Sequence, residues 1–324
     1  MDFWIGSITR MDGPGIVRVR LENDEFSLLW TDCAYVDPNW LEKGPCGRIY
    51  AVSSDGVGER RGFVNELIPD GLGLRLVNRR EAGGIEPCHI CLSDDGRFLF
   101  ASLYHSGALA VFPLEDGSLG PCMQRIVHEG KSVHLTRQEQ AHVHQVTRIP
   151  WLKRMYCACD LGTDELVVYE QDEKSGQFHR RYAISVHAGQ GPRHVAYDGN
   201  RAWLLTELGN RVYSVTFGEA GGALGESAST LRDPPVQNTA AAIRTAAGKV
   251  YVSNRGEGTV ACLDAITLST LGRFPTGGME PRDFILLPDG GILAACQDQG
   301  LSLLRGGEVV SQLPLPGAVS VLPV

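Results

Sequence analysis

One pattern, written again and again, constrains this chain more than its size does. A turn bearing Gly, Lys or Arg leads into an apolar run that ends in small or polar residues. The copies are CGRIYAVSS (46–54), DGRFLFASL (95–103), LKRMYCACD (152–160), GNRAWLLTE (199–207), AGKVYVSNR (247–255) and DGGILAACQ (289–297). They recur about 40 to 60 residues apart, which leaves room for four short strands per copy, the period of a β-propeller blade. Ahead of each turn stands another strand-like segment: 40–41, CHICLS (88–93), HQVTRI (144–149), RHVAYD (193–198), AAAIRT (240–245) and RDFILL (282–287). A seventh, GAVSVLPV (317–324), has no turn after it, while FWIGSI and GIVRVRL near the start have no inner strand before them. The pattern predicts an all-β, seven-bladed propeller, one domain over 1–324, with the N- and C-terminal strands pairing in one blade. Closure removes the open edges that invite aggregation. The longest connection, 117–141, is expected to carry an outer strand and a loop.

Composition narrows the function classes. The 39 Gly and 17 Pro fall at intervals, as turns do, and not in one tract. Net charge is −8 without an extended basic run, which argues against nucleic acid as a partner. No window of about 18 apolar residues is present, so no membrane helix is expected. The start, MDFWIGSITRMDG, lacks the features of a signal peptide, and the expectation is a cytoplasmic protein. Nine cysteines are scattered, most within strand-like runs (Cys91, Cys157, Cys159, Cys262, Cys296), and read as free thiols in a reducing compartment. Cys88-x-x-Cys91 and Cys157-x-Cys159 have no second CxxC, so no metal is expected. GQGPRH precedes no helix pattern, and Ser102 and Ser253 lie in no GxSxG elbow. The column Tyr50, Leu99, Tyr156, Trp203, Tyr251 reads as packing between blades.

The aligned strand ends carry the chemistry. In a propeller, corresponding strand ends point at the central channel. The second strands end on Ser54, Leu103, Asp160, Glu207, Arg255 and Gln297. The inner strands open with Cys88-His89, His142-Val143-His144, Arg193-His194 and Arg282-Asp283. A purely structural repeat places similar small residues in such columns; these are ionisable and diverse, as in a binding site. Arg193, Arg255 and Arg282 suit a phosphate or carboxylate. His144 and Glu207 suit proton transfer, with either as the base. His142 is read as a loop residue or a support to His144. Asp160, in DLGTD, is read as a turn-forming structural acid.

At EPCHICLSDDGRFLFASLYHSGALAVFPLEDGSL (86–119), HVHQV (142–146), CDLGTDELVVYE (159–170), GPRHVAY (191–197), TELGNRVYSV (206–215), SNRGEGTV (253–260) and MEPRDFILLPDG (279–290), the chain resembles the propeller-type lactonase family over nearly its whole length. The resemblance implies hydrolysis of a sugar lactone, most directly a 6-phosphogluconolactone, with no cofactor and no metal. It assigns catalytic roles to His144, Arg193, Glu207 and Arg255. His89, His142, His194, Asn254, Arg282 and Gln297 are expected to contact the substrate, a small anionic lactone or carboxylate. A lactonizing enzyme on a carboxymuconate-type acid and a non-catalytic binding platform are the alternatives. Leu103 and Cys296-Gln297 stand where relatives often carry Asn, and the first unit, RIYAVSSDGVGERRGF, lacks an Asn-Glu often found there.

Overall fold

The computed structural model describes residues 1–55, 61–232 and 237–324. The first-unit departure runs into 56–60 and lies outside the described residues. Seven antiparallel sheets form a ring of blades. The first blade is Leu41–Lys43, Ile49–Ser54, Arg61–Asp70 and Gly73–Ile85. Pro87–Leu92, Phe98–Leu103 and Ala108–Glu115 build the second, with Gln124–Val127 as its outer strand. The third is Val143–Arg148, Met155–Asp160, Glu165–Gln171 and Phe178–Ser185. The fourth is Pro192–Asp198, Arg201–Thr206, Arg211–Phe217 and Gly222–Ser229. Thr239–Ala246, Lys249–Arg255, Thr259–Asp264 and Thr270–Pro275 make the fifth; Pro281–Leu286, Ile292–Cys296, Gly300–Arg305 and Glu308–Pro314 the sixth. The seventh joins the chain ends: Ala318–Pro323 is innermost and pairs with Asp2–Ser7, followed by Ile16–Glu22 and Glu25–Asp32. The expected ring closure is thus present.

Burial follows position in the blade. Second strands such as Phe98–Leu103 and Met155–Asp160 are buried on both faces, because a blade lies on either side. The outermost strand Glu308–Pro314 alternates exposed and partly buried residues, as a half-solvated strand must. The apolar residues gather in seven clusters, each bridging two adjacent blades, so the core lies between blades and not on the axis. The repeated aromatic column serves these junctions. Tyr50 donates to the Gly117 carbonyl of the second blade, and Trp203 Nε1 donates at 3.2 Å to Ala265 O of the fifth. With apolar side chains turned sideways, the axis is left to polar ones. The connection after Gln124–Val127 runs without strands to Val143, as expected.

Candidate active site

Six of the seven inner strands carry a register slip, and in four of them it falls on a residue of the site. The ladder register slips between Pro87 and His89, Val143 and Gln145, Pro192 and His194, and Pro281 and Asp283. The residues passed over are Cys88, His144, Arg193 and Arg282. A bulge leaves one residue unpaired, bends the strand and re-aims a side chain. All four line one cavity of about 280 Å³ at the mouth of the channel. The approach to Arg193 is set by Gly191, whose φ of +64° suits glycine, and whose Cβ, if present, would meet Leu208 at 2.8 Å. Its amide donates to Asp164 at 2.7 Å, and its carbonyl accepts from the Glu207 amide at 2.8 Å.

Glu207 is the hub. Its Oε2 accepts from Arg193 Nε at 2.6 Å and lies 3.1 Å from Arg255 Nη2 and 3.9 Å from His144 Nε2. Its Oε1 accepts from Arg137, which also donates to the Tyr104 hydroxyl at 3.3 Å. Arg193 donates further to the Ala241 carbonyl, and Arg255 to the Thr239 and Ala240 carbonyls at 3.3 Å. Arg282 donates to Gln297 Oε1 at 3.1 Å and, among the described residues, has no carboxylate within salt-bridge reach. Across the cavity Arg10 pairs with Asp37 and with Glu86, the latter at 2.9 Å. Five arginines of the cavity therefore face Glu86, Glu207 and, behind Arg10, Asp37, which leaves two positive charges over among the described residues.

The protonation states follow from burial and neighbours. Burial, then Arg193, pushes the His144 imidazole well below its ordinary range, so it is neutral at pH 7. Burial alone would raise the Glu207 carboxyl, but Arg255 and Arg193 outweigh it and hold the group well below the carboxylate range. Burial lowers Arg193 to about 9, which keeps it charged at neutral pH. Burial also lifts the Cys88 thiol to about 12, so it is no thiolate nucleophile.

Of the residues singled out from sequence, the structure brings His144, Arg193, Glu207, Arg255 and Arg282 into this cavity. His194 and His89 continue down the channel, with ring centroids 5.1 Å from His144 to His194 and 5.9 Å on to His89, which packs on Trp40. The Nδ1 atoms of all three histidines are buried and, among the described residues, have no hydrogen-bond partner. His142 lies just before its strand and stacks on Tyr104 at 4.5 Å, bonded to Glu139 and the Tyr104 carbonyl, outside the cavity. Asn254 turns away from the cavity, toward Thr230 just after the fourth blade and Thr259 of its own blade. Gln297 holds Arg282 but does not line the cavity.

The expectation that the second-strand ends form one ring needs correction. Only Glu207 and Arg255 among them reach the cavity. These strands stand one place out from the axis, so most of their ends close junctions between blades. Leu103 is fully buried in the cluster between the first two blades, and Tyr104 and His105 in the turn after it face the mouth instead. Asp160 is buried and accepts the His142, Gly162 and Thr163 amides and the His128 ring. The sequence pattern missed Arg137, Tyr104, Arg10 and Glu86, which lie in turns outside the repeat columns. The one signal for Arg137 was its place in the longest connection, since long loops are often functional. Among the described residues no group of three or more His, Cys, Asp or Glu is placed to share a metal ion.

Comparison with known proteins gives the family and the fold. Residues 2–303 match the family model described as lactonase, 7-bladed beta-propeller. The chain is 31% identical over 338 residues to the 6-phosphogluconolactonase of Bacillus subtilis, with 98% of this chain and 95% of that protein covered. The solved structure of a periplasmic gluconolactonase from Pseudomonas aeruginosa superposes with a TM-score of 0.87 at 25% identity, over 99% of this chain and 98% of that one. A protein from Lactobacillus plantarum shares the fold at a TM-score of 0.89 and 24% identity, with 99% and 98% covered.

Proposed function

This chain belongs to the seven-bladed β-propeller lactonase family, and we propose that it hydrolyses 6-phospho-D-glucono-1,5-lactone to 6-phosphogluconate in this cavity. Lactone hydrolysis as such is the family's chemistry, shared with the Bacillus relative that spans nearly the whole chain. The phosphorylated substrate rests on one observation: a cavity with two surplus positive charges among the described residues, beside a neutral imidazole and a carboxylate. Such a site favours a small dianion that carries a group to be hydrolysed. Its volume, about 280 Å³, suits a monosaccharide.

The mechanism uses groups already in place. His144 Nε2 and Glu207 Oε2, 3.9 Å apart, are too far for a direct hydrogen bond but within reach of one shared water. The water oxygen attacks the lactone carbonyl as His144 takes its proton, and Glu207 stabilises the imidazolium. The negative charge that develops on the carbonyl oxygen is met by guanidinium groups of Arg193, Arg255 and Arg282. The ring C–O bond then breaks, the leaving oxygen takes the proton from His144, and the acid product ionises to a carboxylate in solution. His144 is assigned as the base because it is neutral, whereas Glu207 is held ionised by its arginines.

The reading includes action in the cytoplasm. Nine free cysteines support it, while the Pseudomonas relative is periplasmic by name, so cell fractionation is the check. No helix among the described residues is long and apolar enough to cross a membrane. The function itself is tested by the rate of phospholactone opening over the spontaneous rate. Acceleration only of a carboxymuconate-type lactone, or of none, overturns the substrate assignment.

A further inference from the structure

A second hollow adjoins the first and shares two of its arginines. It is a groove of about 600 Å³ on the outer side of Arg137 and Arg255, lined also by His134, Asn238 and Thr239, with Glu280 contributing one carboxylate. Arg137 and Arg255 form the wall between groove and inner cavity. Of the three arginines on Glu207, only Arg137 comes from a loop, and its side chain is 36% exposed, against 3% for Arg193 and 11% for Arg255. The base of that side chain is fixed. Neighbouring Gln138 closes a turn onto the His134 carbonyl at 2.9 Å and reaches the buried Leu161 carbonyl at 2.8 Å. Arg137 commits only Nη2 to Glu207 and Tyr104, so among the described residues its other nitrogens remain for a ligand.

We propose that this groove is the subsite for the substrate's phosphate, and that a phosphate seated there draws Arg137 off Glu207 and frees that carboxylate to support His144. The inference rests on the phospholactone reading above. The physical reason is competition. A phosphate dianion offers more charge and more acceptor oxygens to a guanidinium than one carboxylate already shared three ways. With Arg137 withdrawn, less positive charge opposes an imidazolium at His144. Binding of the remote, non-reacting end of the substrate is thereby converted into rate at the reacting end. The subsite sets specificity through kcat as well as through KM. Arg255 faces both hollows and stays on Glu207, so one arginine moves and one holds the carboxylate in place.

The experiment separates tail from ring. Opening of unphosphorylated D-glucono-1,5-lactone is followed with wild type and Arg137→Gln across a series of inorganic phosphate at constant ionic strength, with the enzyme-free rate subtracted. Wild type should be accelerated by phosphate, saturably and by about tenfold, the worth of one charge-assisted hydrogen bond. Arg137→Gln should open this lactone several-fold faster than wild type without phosphate, show no acceleration with it, and lose at least about tenfold of the preference for the phosphorylated lactone. Arg137→Lys, which keeps the charge but not the fork, should retain a reduced acceleration. Phosphate that inhibits or leaves wild type unchanged overturns the inference while the lactonase reading stands, as does acceleration that survives in Arg137→Gln. If wild type opens neither lactone, both fall together.

Discussion

Glutamine at position 207 would keep the shape of the hub and remove its charge. Three guanidiniums converge on that carboxylate, two from side chains only 3% and 11% exposed. Removing one partner of a buried ion pair costs about 3–5 kcal/mol, because the opposite charge stays behind without a counter-ion. The amide oxygen of Glu207→Gln still accepts one hydrogen bond, worth about 1 kcal/mol. The net destabilisation is then about 2–4 kcal/mol, to be read from urea midpoints at pH 7 with an unchanged slope. The variant also holds one more uncompensated positive charge, so added inorganic phosphate should raise its midpoint more than that of wild type. For activity, the closest analogy is a carboxylate behind a catalytic imidazole, whose loss costs up to about 10⁴ in rate. At 3.9 Å from His144 the coupling is looser, and about 10³ in kcat/KM is expected. A variant within about 0.5 kcal/mol of wild-type stability and within a few-fold of its turnover would refute the account of Glu207 as hub.

Further consequences follow from the channel and its surroundings. Burial depresses His89 to about 3 and drives His144 and His194 well below 6.5, so the native state keeps them neutral where the unfolded chain protonates them. Stability should therefore fall as pH drops below about 6.5, with about three protons taken up on unfolding at pH 5 by these groups; flat stability from pH 7 to 5 would contradict this. Asp160→Asn should lower stability by about 3 kcal/mol yet leave kcat within a few-fold, since Asp160 holds backbone amides and His128 and does not line the cavity; circular dichroism melts and turnover separate the two. Iodoacetamide at pH 8 should modify the exposed Cys33 and Cys46 first without loss of activity, because Cys88 is held protonated; rapid inactivation would place a reactive thiol in the mouth.

The site was partly legible in the sequence, and the division has physical reasons. Glu207 and Arg255 were visible as ionisable ends in a column where a purely structural repeat would place similar small residues. His144 and Arg193 were visible at the heads of inner strands, with Arg282 in the matching place. Asn254, next to Arg255 in the chain, turns the other way, as strand alternation requires. His142, by the same alternation, would share a face with His144, but it precedes the strand and its ring lies on Tyr104 instead. Arg137 was legible only as part of the longest connection, with nothing to mark it within that loop. It belongs to no repeat, and only the course of a long loop across the mouth brings it to a residue 70 positions away.

By itself the sequence determined the ring. Short apolar runs between turns, repeated at blade length, have few other ways to bury both faces, and the expected pairing of Ala318–Pro323 with Asp2–Ser7 is present. Tertiary structure alone decided where the charges meet. The bulges at Cys88, His144, Arg193 and Arg282 leave no trace in a pattern of apolar and polar residues, because a bulge adds one residue to a strand without changing its composition. They turn four side chains from separate blades into one mouth. The gathering of three arginines on a single carboxylate likewise depends on distances between elements that no local propensity encodes.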